Sequence, residues 1–248
     1  MRGLMLTVGL AGLCLAGCLG RPGKPAQVEP RLFKCHRAIG PITIDGKLDE
    51  PAWRAAAIID DFRIPRTGVR PKGLTAVRLL WDDEYLYMGA VMEDYDIYAT
   101  HKEHDSQTWD DDVIELFLKP RDDKNPYYEF QVNPLGTTID LLIGRRGAGT
   151  FDRWRTWESG MKAAVRMRGT LNDWTDKDAG WSAEIAIPLK ALGSAGPKPQ
   201  LGDRWRFAVC RYDYSVYVQD GPELTSSALL PELNYHKHEG YDRLEFAE

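Results

Sequence analysis

Two neighbouring segments near the middle of the chain alternate apolar side chains with carboxylate and amide side chains. A β-strand directs successive side chains to opposite faces, so this alternation predicts one apolar and one polar face. The polar face carries Glu115 from the first segment and Glu129, Gln131 and Asn133 from the second. Such groups can form directional hydrogen bonds to a hydroxyl-bearing ligand, and two carboxylates can also act as general acid and base. The alternative is a solvated strand face without a ligand.

Tryptophans in two loops are the aromatic candidates to lie beside this polar face. Trp109 stands shortly before Glu115, in a loop at the start of the strand. Trp154 lies in the segment Arg153–Trp157, which follows the glycine-rich loop Gly144–Gly149. Indole and guanidinium groups suit stacking on a flat apolar ligand face. The second tryptophan of the segment is instead expected to pack against one end of the fold.

Short strand-like runs recur along the chain and would position these side chains. Two pairs of runs are separated by polar turns and predict hairpins, at 75–81 with 85–91 and at 113–118 with 127–132. Further strands are expected at 42–44, 181–188, 204–211 and 241–246. Because no long segment has helical periodicity, the chain is predicted to be all-β, a single antiparallel β-sandwich.

Several sequence blocks point to one family. The opening "ITIDGKLDEPAW" at residues 42–53 is followed, in order, by "LLWDDEYLYMGA", "DDVIELFL", "YYEFQVNPLGTTID", "GTLNDWTDKDAGWSAEIAIP", "GDRWRFAVCR" and "NYHKHEGYDRLEF". From about Leu32 onward the chain therefore resembles the carbohydrate-binding module family 9-like domains. The resemblance implies a jelly-roll-like β-sandwich that binds sugars, with the opening block mainly structural and Trp53 inserted into the core.

The resemblance also implies roles for particular residues. In sugar-binding members a loop tryptophan and a strand glutamate hold the terminal sugar, which makes Trp109 and Glu115 the first candidates here. Many members carry a second stacking tryptophan in a Trp-Ser-Pro sequence, but residues 225–231 of this chain contain no tryptophan. A clamp of two aromatic rings would then require Trp154 or Tyr235.

We therefore expect a non-catalytic protein that captures poly- or oligosaccharide and assists carbohydrate catabolism. The alternative is a glycoside hydrolase or an accessory part of a glycan-degrading system, because Glu115 and Glu129 on adjacent strands could approach the spacing that hydrolysis needs. A haem-binding module and a purely structural adhesion protein are further alternatives. The net charge of −5 and the lack of a basic block argue against a nucleic-acid partner.

The first residues of the chain are typical of a bacterial lipoprotein signal. Arg2 precedes the apolar run 4–15, which is too short to span a bilayer. The sequence Leu15-Ala16-Gly17-Cys18 resembles a lipobox in which Cys18 takes the lipid. We predict a signal peptide at 1–17, a tether at 18–31, the sandwich domain at 32–248 and a lipid anchor in the cell envelope. The lack of an aspartate after Cys18 favours the outer membrane. An ordinary secretory signal is the alternative.

Two features leave alternatives open. Cys35 and Cys210 can form a disulfide in an oxidising compartment or remain buried free thiols. The acidic loops Asp110–Asp112 and Asp173–Asp178 could hold a structural Ca2+, which the resemblance also allows, or be solvated turns. Neither loop has a fixed ligand spacing, so no cofactor is assigned with certainty.

Overall fold

A computed structural model describes residues 29–217 and 221–248 of the chain. The predicted signal peptide, the lipidated Cys18 and most of the predicted tether lie outside the described residues. In the part of the chain that is described, no helix is long and apolar enough to cross a membrane.

Eleven strands and two short helices form the described fold. The strands are β1 (Leu32–Arg37), β2 (Thr75–Trp81), β3 (Tyr85–Met92), β4 (Val113–Lys119), β5 (Tyr127–Val132), β6 (Thr138–Ile143), β7 (Lys162–Arg168), β8 (Gly180–Pro188), β9 (Arg204–Asp213), β10 (Glu223–Ser226) and β11 (Asp242–Phe246). The helices are α1 (Pro51–Ala55) and α2 (Phe151–Trp154). Both predicted hairpins are confirmed, as β2 with β3 and β4 with β5.

The strands form two packed layers that share β1. The first sheet has the order β6-β5-β4-β9-β11-β1, with β10 also paired to β9, and the second has the order β1-β2-β3-β8-β7. Residues 32–35 of β1 pair with β11 and residues 36–37 pair with β2, both in parallel, whereas the other strand pairs are antiparallel. The predicted β-sandwich is therefore confirmed, with one strand that passes from one layer to the other.

The main hydrophobic core lies between the two layers. Phe130 from the first sheet and Trp181 from the second are fully buried there. Phe246 contacts Trp81 and Trp205 edge-on, with ring centroids 5.2 and 5.3 Å apart. Each fully buried large apolar side chain stabilises the fold by about 1.5–3 kcal/mol. This core fixes β4, β5 and β9 rigidly, so their outward-facing side chains are held in place.

The opening block of the family resemblance covers the outer face of the second sheet. Trp53 of α1 is buried there, and its indole Nε1 donates a 2.8 Å hydrogen bond to Glu184 of β8. The other carboxylate oxygen of Glu184 accepts the backbone amides of Asp45 and Gly46. Gly46 has φ +86°, and a Cβ there would lie 2.9 Å from the backbone of β7, so the turn requires glycine. The block is thus structural, but Trp53 packs outside the two layers rather than between them.

The strand predicted at 42–44 is wrong. Ile42 and Ile44 are partly buried against the outer cluster around Trp53, but this segment pairs with no strand. The Thr43 amide donates to Glu50 Oε1 rather than to a neighbouring strand. Alternating burial therefore arises here in an irregular loop that lies along a sheet face.

Candidate functional site

A pocket of about 800 Å3 opens on the outer face of the first sheet, over β4, β5, β6 and β9. Period-two alternation places the polar side chains there, because the apolar alternates of the same strands face the core. Glu115, Glu129 and Gln131 lie in this pocket, as predicted from the sequence. Glu115 stands opposite Gln131 of β5 on one side and Cys210 of β9 on the other.

The pocket floor is a buried polar network that ends in unpartnered oxygens. Thr108 Oγ1 donates a 2.6 Å hydrogen bond to Gln131 Oε1, and Gln131 Nε2 donates a 2.6 Å hydrogen bond to Glu129 Oε1. Glu129 Oε2 and Glu115 Oε2 have no hydrogen-bond partner among the described residues. A buried polar atom without a partner costs about 1–3 kcal/mol, so a ligand that supplies hydrogen bonds to these oxygens gains affinity.

Burial controls the protonation of the two carboxyl groups. It raises the pKa of Glu115 well above its usual value, and the neighbouring Glu129 raises that pKa further. Burial also raises the pKa of Glu129, although His236 and the hydrogen bond from Gln131 act in the opposite direction. A raised pKa favours the protonated carboxyl, which can donate a hydrogen bond as well as accept one. The floor can therefore match both the hydrogen and the lone pairs of a ligand hydroxyl.

Aromatic side chains form the walls above this floor. Trp109, in the loop before β4, is partly buried and contacts Phe151 edge-on with ring centroids 4.8 Å apart. Trp154, at the end of α2, also lines the pocket. Both indoles predicted as stacking groups are thus partly exposed beside the carboxyl floor.

The glycine-rich loop holds the indole of Trp154 against its own backbone. A Cβ at Gly149 would lie 2.5 Å from Trp154 Cζ2, and one at Gly144 would lie 3.1 Å from the same ring. Gly149 also has φ +84°, which disfavours any other residue. The guanidinium of Arg153 lies over the ring, 5.4 Å from its centroid. The loop therefore needs small residues in order to position Trp154 as a wall.

The second tryptophan of this segment has a structural role, as expected. Trp157 packs on the main core, with its ring centroid 5.3 Å from that of Tyr128 and 6.1 Å from that of Phe130. Its indole Nε1 donates to Ser194 Oγ at 3.3 Å. Trp157 thereby attaches the pocket-wall segment to the rest of the fold.

Two tyrosines complete the wall, and only one of them was considered from the sequence. Tyr212 of β9 and Tyr235 meet edge-on with ring centroids 5.3 Å apart, and both line the pocket. Tyr212 was missed, although the alternation of β9 places it on the same face as Cys210. Tyr235 donates a hydrogen bond to the backbone oxygen of Arg211, which fixes its ring. Trp154 and Tyr235, the two residues considered for a second aromatic surface, thus both line the pocket.

Asn133 lies outside the pocket, contrary to its prediction as a ligand-binding residue. It follows the last residue of β5, so the alternation of that strand no longer determines its direction. Its Nδ2 donates to the backbone oxygen of His101 and to Asp111, and its Oδ1 accepts the amides of Leu135 and Thr137. Asn133 is fully buried and stabilises the turn after β5.

The two thiols of the described chain are free and lie on different faces of the first sheet. Cys35 is buried in the core between the layers, whereas Cys210 is buried on the outer face beneath the pocket. The disulfide alternative is therefore wrong for this structure, because the sheet itself separates the two sulfur atoms.

The acidic loops proposed for Ca2+ use their carboxylates for backbone hydrogen bonds. Asp111 accepts the amides of Thr100 and His101, and Asp112 accepts those of Tyr98 and Tyr214. In the other loop, the two oxygens of Asp178 accept the backbone amides at positions 97 and 170. Calcium binding stays a prediction.

The fold and the pocket are those of a β-sandwich binding domain. The chain belongs to the carbohydrate family 9 binding domain-like family, whose model matches residues 44–228. This match confirms the family that the sequence blocks indicated.

Sequence relatives share this domain within much longer proteins. Endo-1,4-beta-xylanase A of Thermotoga maritima is 24% identical over 157 residues, which cover 56% of this chain and 14% of the xylanase. Exoglucanase XynX of Acetivibrio thermocellus is 30% identical over 170 residues, which cover 68% of this chain and 13% of the exoglucanase. The chain therefore spans less than a sixth of the length of these relatives.

Solved structures share the fold at low sequence identity. A candidate carbohydrate-binding protein from Bacteroides uniformis has a TM-score of 0.68 at 13% identity, covering 88% of this chain and all of that one. A carbohydrate binding module family 9 domain from Caldicellulosiruptor kristjanssonii, solved in complex with glucose, has a TM-score of 0.57 at 17% identity, covering 86% of this chain and 95% of that one. At such identities the likeness establishes the fold alone.

Proposed function

We propose that this chain is a non-catalytic carbohydrate-binding lipoprotein that captures poly- or oligosaccharide in the pocket of the first sheet. The observation that carries the proposal is a single pocket lined by the indoles of Trp109 and Trp154 and by the carboxyl groups of Glu115 and Glu129, each of which has one oxygen that accepts no hydrogen bond from the described residues. A sugar ring has apolar CH faces that stack on aromatic rings and hydroxyl groups that bond to carboxyls. The family of the chain and the glucose complex of a structural neighbour support the same ligand class.

Titration calorimetry of the purified chain against a panel of soluble oligosaccharides tests this proposal. We expect Trp109→Ala to weaken binding about tenfold, because it removes one stacking surface worth roughly 0.5–1.5 kcal/mol in addition to its apolar area. Glu115→Gln is expected to weaken binding through the loss of its carboxyl. Trp174→Ala is the matched control, since that indole is 64% exposed and does not line the pocket. Equal affinities for the Trp109→Ala and Trp174→Ala variants would contradict the proposal.

Hydrolysis of the bound glycan is the second candidate function, and the buried carboxyl pair favours it. A glycosidase needs one carboxyl with a raised pKa as general acid and a second as base or nucleophile. Burial and the neighbouring Glu129 raise the pKa of Glu115, which suits the role of acid, whereas His236 and Gln131 oppose the rise in the pKa of Glu129 on the adjacent strand, which suits the second role. Incubation of the chain with the oligosaccharide that it binds, followed by chromatography, separates the two functions. Full recovery of the oligosaccharide supports binding alone, whereas products that disappear in Glu115→Gln establish hydrolysis.

We also propose that Cys18 carries a lipid that attaches the protein to the cell envelope, with the outer membrane favoured. The support comes from the positive residue, short apolar run and Leu-Ala-Gly-Cys sequence at the start of the chain. Two or more acyl chains give stable membrane attachment, whereas a single chain binds only marginally. Detergent-phase partitioning of the expressed protein tests the proposal. Cys18→Ser is expected to move the protein to the aqueous phase, and partitioning that does not change would refute lipidation.

A further inference from the structure

A second polar cluster lies on the face of β6 that is turned away from the pocket. Asp140 of β6 meets His104 from the loop before β4 and Glu158 from the loop before β7. His104 Nε2 lies 3.1 Å from Glu158 Oε2 and 3.6 Å from Asp140 Oδ1. A further carboxylate oxygen, Asp105 Oδ1, lies 3.7 Å from the same nitrogen. Three segments that are distant in sequence thus bring together His104, Asp140 and Glu158, with Asp105 beside the imidazole.

A hydrogen bond fixes which imidazole nitrogen faces the carboxylates. His104 Nδ1 lies 2.9 Å from the backbone oxygen of Thr138. A carbonyl oxygen only accepts, so Nδ1 carries a hydrogen, while Nε2 donates its own hydrogen to Glu158 Oε2 at 3.1 Å; a metal ion bound here would replace the Nε2 hydrogen. Histidines that bind metal ions are oriented in this way, with the second ring nitrogen donating to a backbone carbonyl or a carboxylate.

Two oxygens of the cluster are buried and have no hydrogen-bond partner among the described residues. They are Asp140 Oδ1 and Asp105 Oδ1, on residues that are 1% and 8% exposed. The other oxygen of Asp140 accepts the amide of Ser159, so the carboxylate is held with Oδ1 pointing at the imidazole. A single protonated imidazole would balance one of three negative charges, whereas a divalent cation would balance two.

We propose that His104, Asp140 and Glu158 bind a divalent transition-metal ion, with Zn2+ as the ion that best fits the donor set, and that Asp105 supplies further negative charge beside it. A tetrahedral ion at about 2.0–2.1 Å from its ligands separates them from one another by roughly 3.3 Å. The 3.1 and 3.6 Å distances from Nε2 lie on either side of that separation. Imidazole nitrogen with carboxylate oxygen favours Zn2+ and related ions, whereas Ca2+ prefers six or more oxygens.

The other carboxylate cluster of the described chain differs in one decisive respect. Asp94, Asp112 and Asp213 also approach one another and are buried. The guanidinium of Arg211 already occupies the space between two of them, 3.2 Å from Asp94 and 3.0 Å from Asp213. Among the described residues, no guanidinium or ammonium group pairs with the carboxylates around His104, whose imidazole is their ion-pair partner.

Titration calorimetry on the metal-stripped full chain tests the site, with ZnCl2, CaCl2 and MgCl2 as the probes. We expect one Zn2+ per chain, bound more tightly than Ca2+ or Mg2+. His104→Gln and Glu158→Gln should each weaken Zn2+ binding by about tenfold or more. Glu158 has a side chain that is 63% exposed, so its variant is expected to keep the fold, and circular dichroism checks this. His36→Gln is the matched control, because His36 lies on β1, outside the cluster.

X-ray absorption of the zinc-loaded chain provides a second readout. Nitrogen and oxygen ligands at about 2.0–2.2 Å are expected, and the multiple scattering that is typical of one imidazole ring should disappear in His104→Gln. The proposal is overturned if the chain binds no Zn2+, if it binds Ca2+ more tightly, or if folded Glu158→Gln binds Zn2+ as tightly as the His36→Gln control.

Discussion

Substitution of Gly149 by alanine is expected to weaken glycan binding, because the new methyl group would contact the indole of Trp154. At φ +84° an L-residue is strained by roughly 1–2 kcal/mol. In addition, the new Cβ would lie 2.5 Å from Trp154 Cζ2, whereas carbon atoms in contact prefer about 3.5–4.0 Å. The indole must therefore move by about 1 Å. If that motion removes the stacking contribution of Trp154, about 0.5–1.5 kcal/mol, affinity falls about two- to tenfold.

The control variant Gly136→Ala separates the backbone strain of this substitution from its contact with Trp154. Gly136 has φ +79°, nearly the same backbone conformation, but a Cβ there meets no atom within 4 Å. Urea unfolding should show a loss of stability in both variants, larger in Gly149→Ala because of the contact with the indole, whereas calorimetry with the bound oligosaccharide should show weaker binding only in Gly149→Ala. Equal affinities in the two variants would refute the argument that the glycine loop positions the Trp154 wall.

Three further predictions concern stability and chemistry outside the pocket. Glu184→Ala leaves the indole of Trp53 and the amides of Asp45 and Gly46 without hydrogen-bond acceptors, and each loss costs about 1–3 kcal/mol. Urea unfolding should therefore show that the variant loses several kcal/mol of stability. The exposed control Glu232→Ala should show little change. The hydrogen bond from Arg146 lowers the pKa of Glu239 from 4.5 to about 2. The ion pair of Arg146 and Glu239 therefore stabilises the folded chain fully above pH 4.5, and this stabilisation is lost as the pH falls towards 2. The melting temperature of Glu239→Gln should therefore approach that of the wild type as the pH falls, and a constant difference would contradict the linkage. Burial raises the pKa of both the Cys35 and the Cys210 thiol, so neither should react with an alkylating reagent in the native chain. Peptide mapping should find both cysteines unmodified after alkylation of the native chain and modified after alkylation in denaturant. Labelling without denaturant would contradict their burial.

The pocket floor could be predicted from the sequence because strand alternation is a local property. Glu115, Glu129 and Gln131 share one face wherever β4 and β5 pair in this register. Asn133 escapes this rule because it lies just beyond β5 and bonds to the following turn. The false strand at 42–44 has the same origin, since alternating burial also arises where a loop lies flat on a sheet.

The parts that sequence reasoning missed are those that depend on distant segments. Tyr212 becomes a pocket wall only because the segment around Tyr235 folds back over β9. The cluster of His104, Asp140 and Glu158 combines two loops and an edge strand, and no spacing along the chain reveals it. Such arrangements follow from the packing of the sandwich, which local patterns do not specify.

The position of β1 has a consequence for the order in which the protein can fold. The first strand of the described chain pairs with its last, and Arg31 forms a 2.7 Å ion pair with Asp242. Contacts of such large sequence separation form slowly, because a long loop must close before they contribute stability. The first sheet therefore stays incomplete until β11 is available to pair with β1 and β9. Until then β1 and β9 keep unpaired backbone groups, and a chain truncated before β11 should be prone to aggregate.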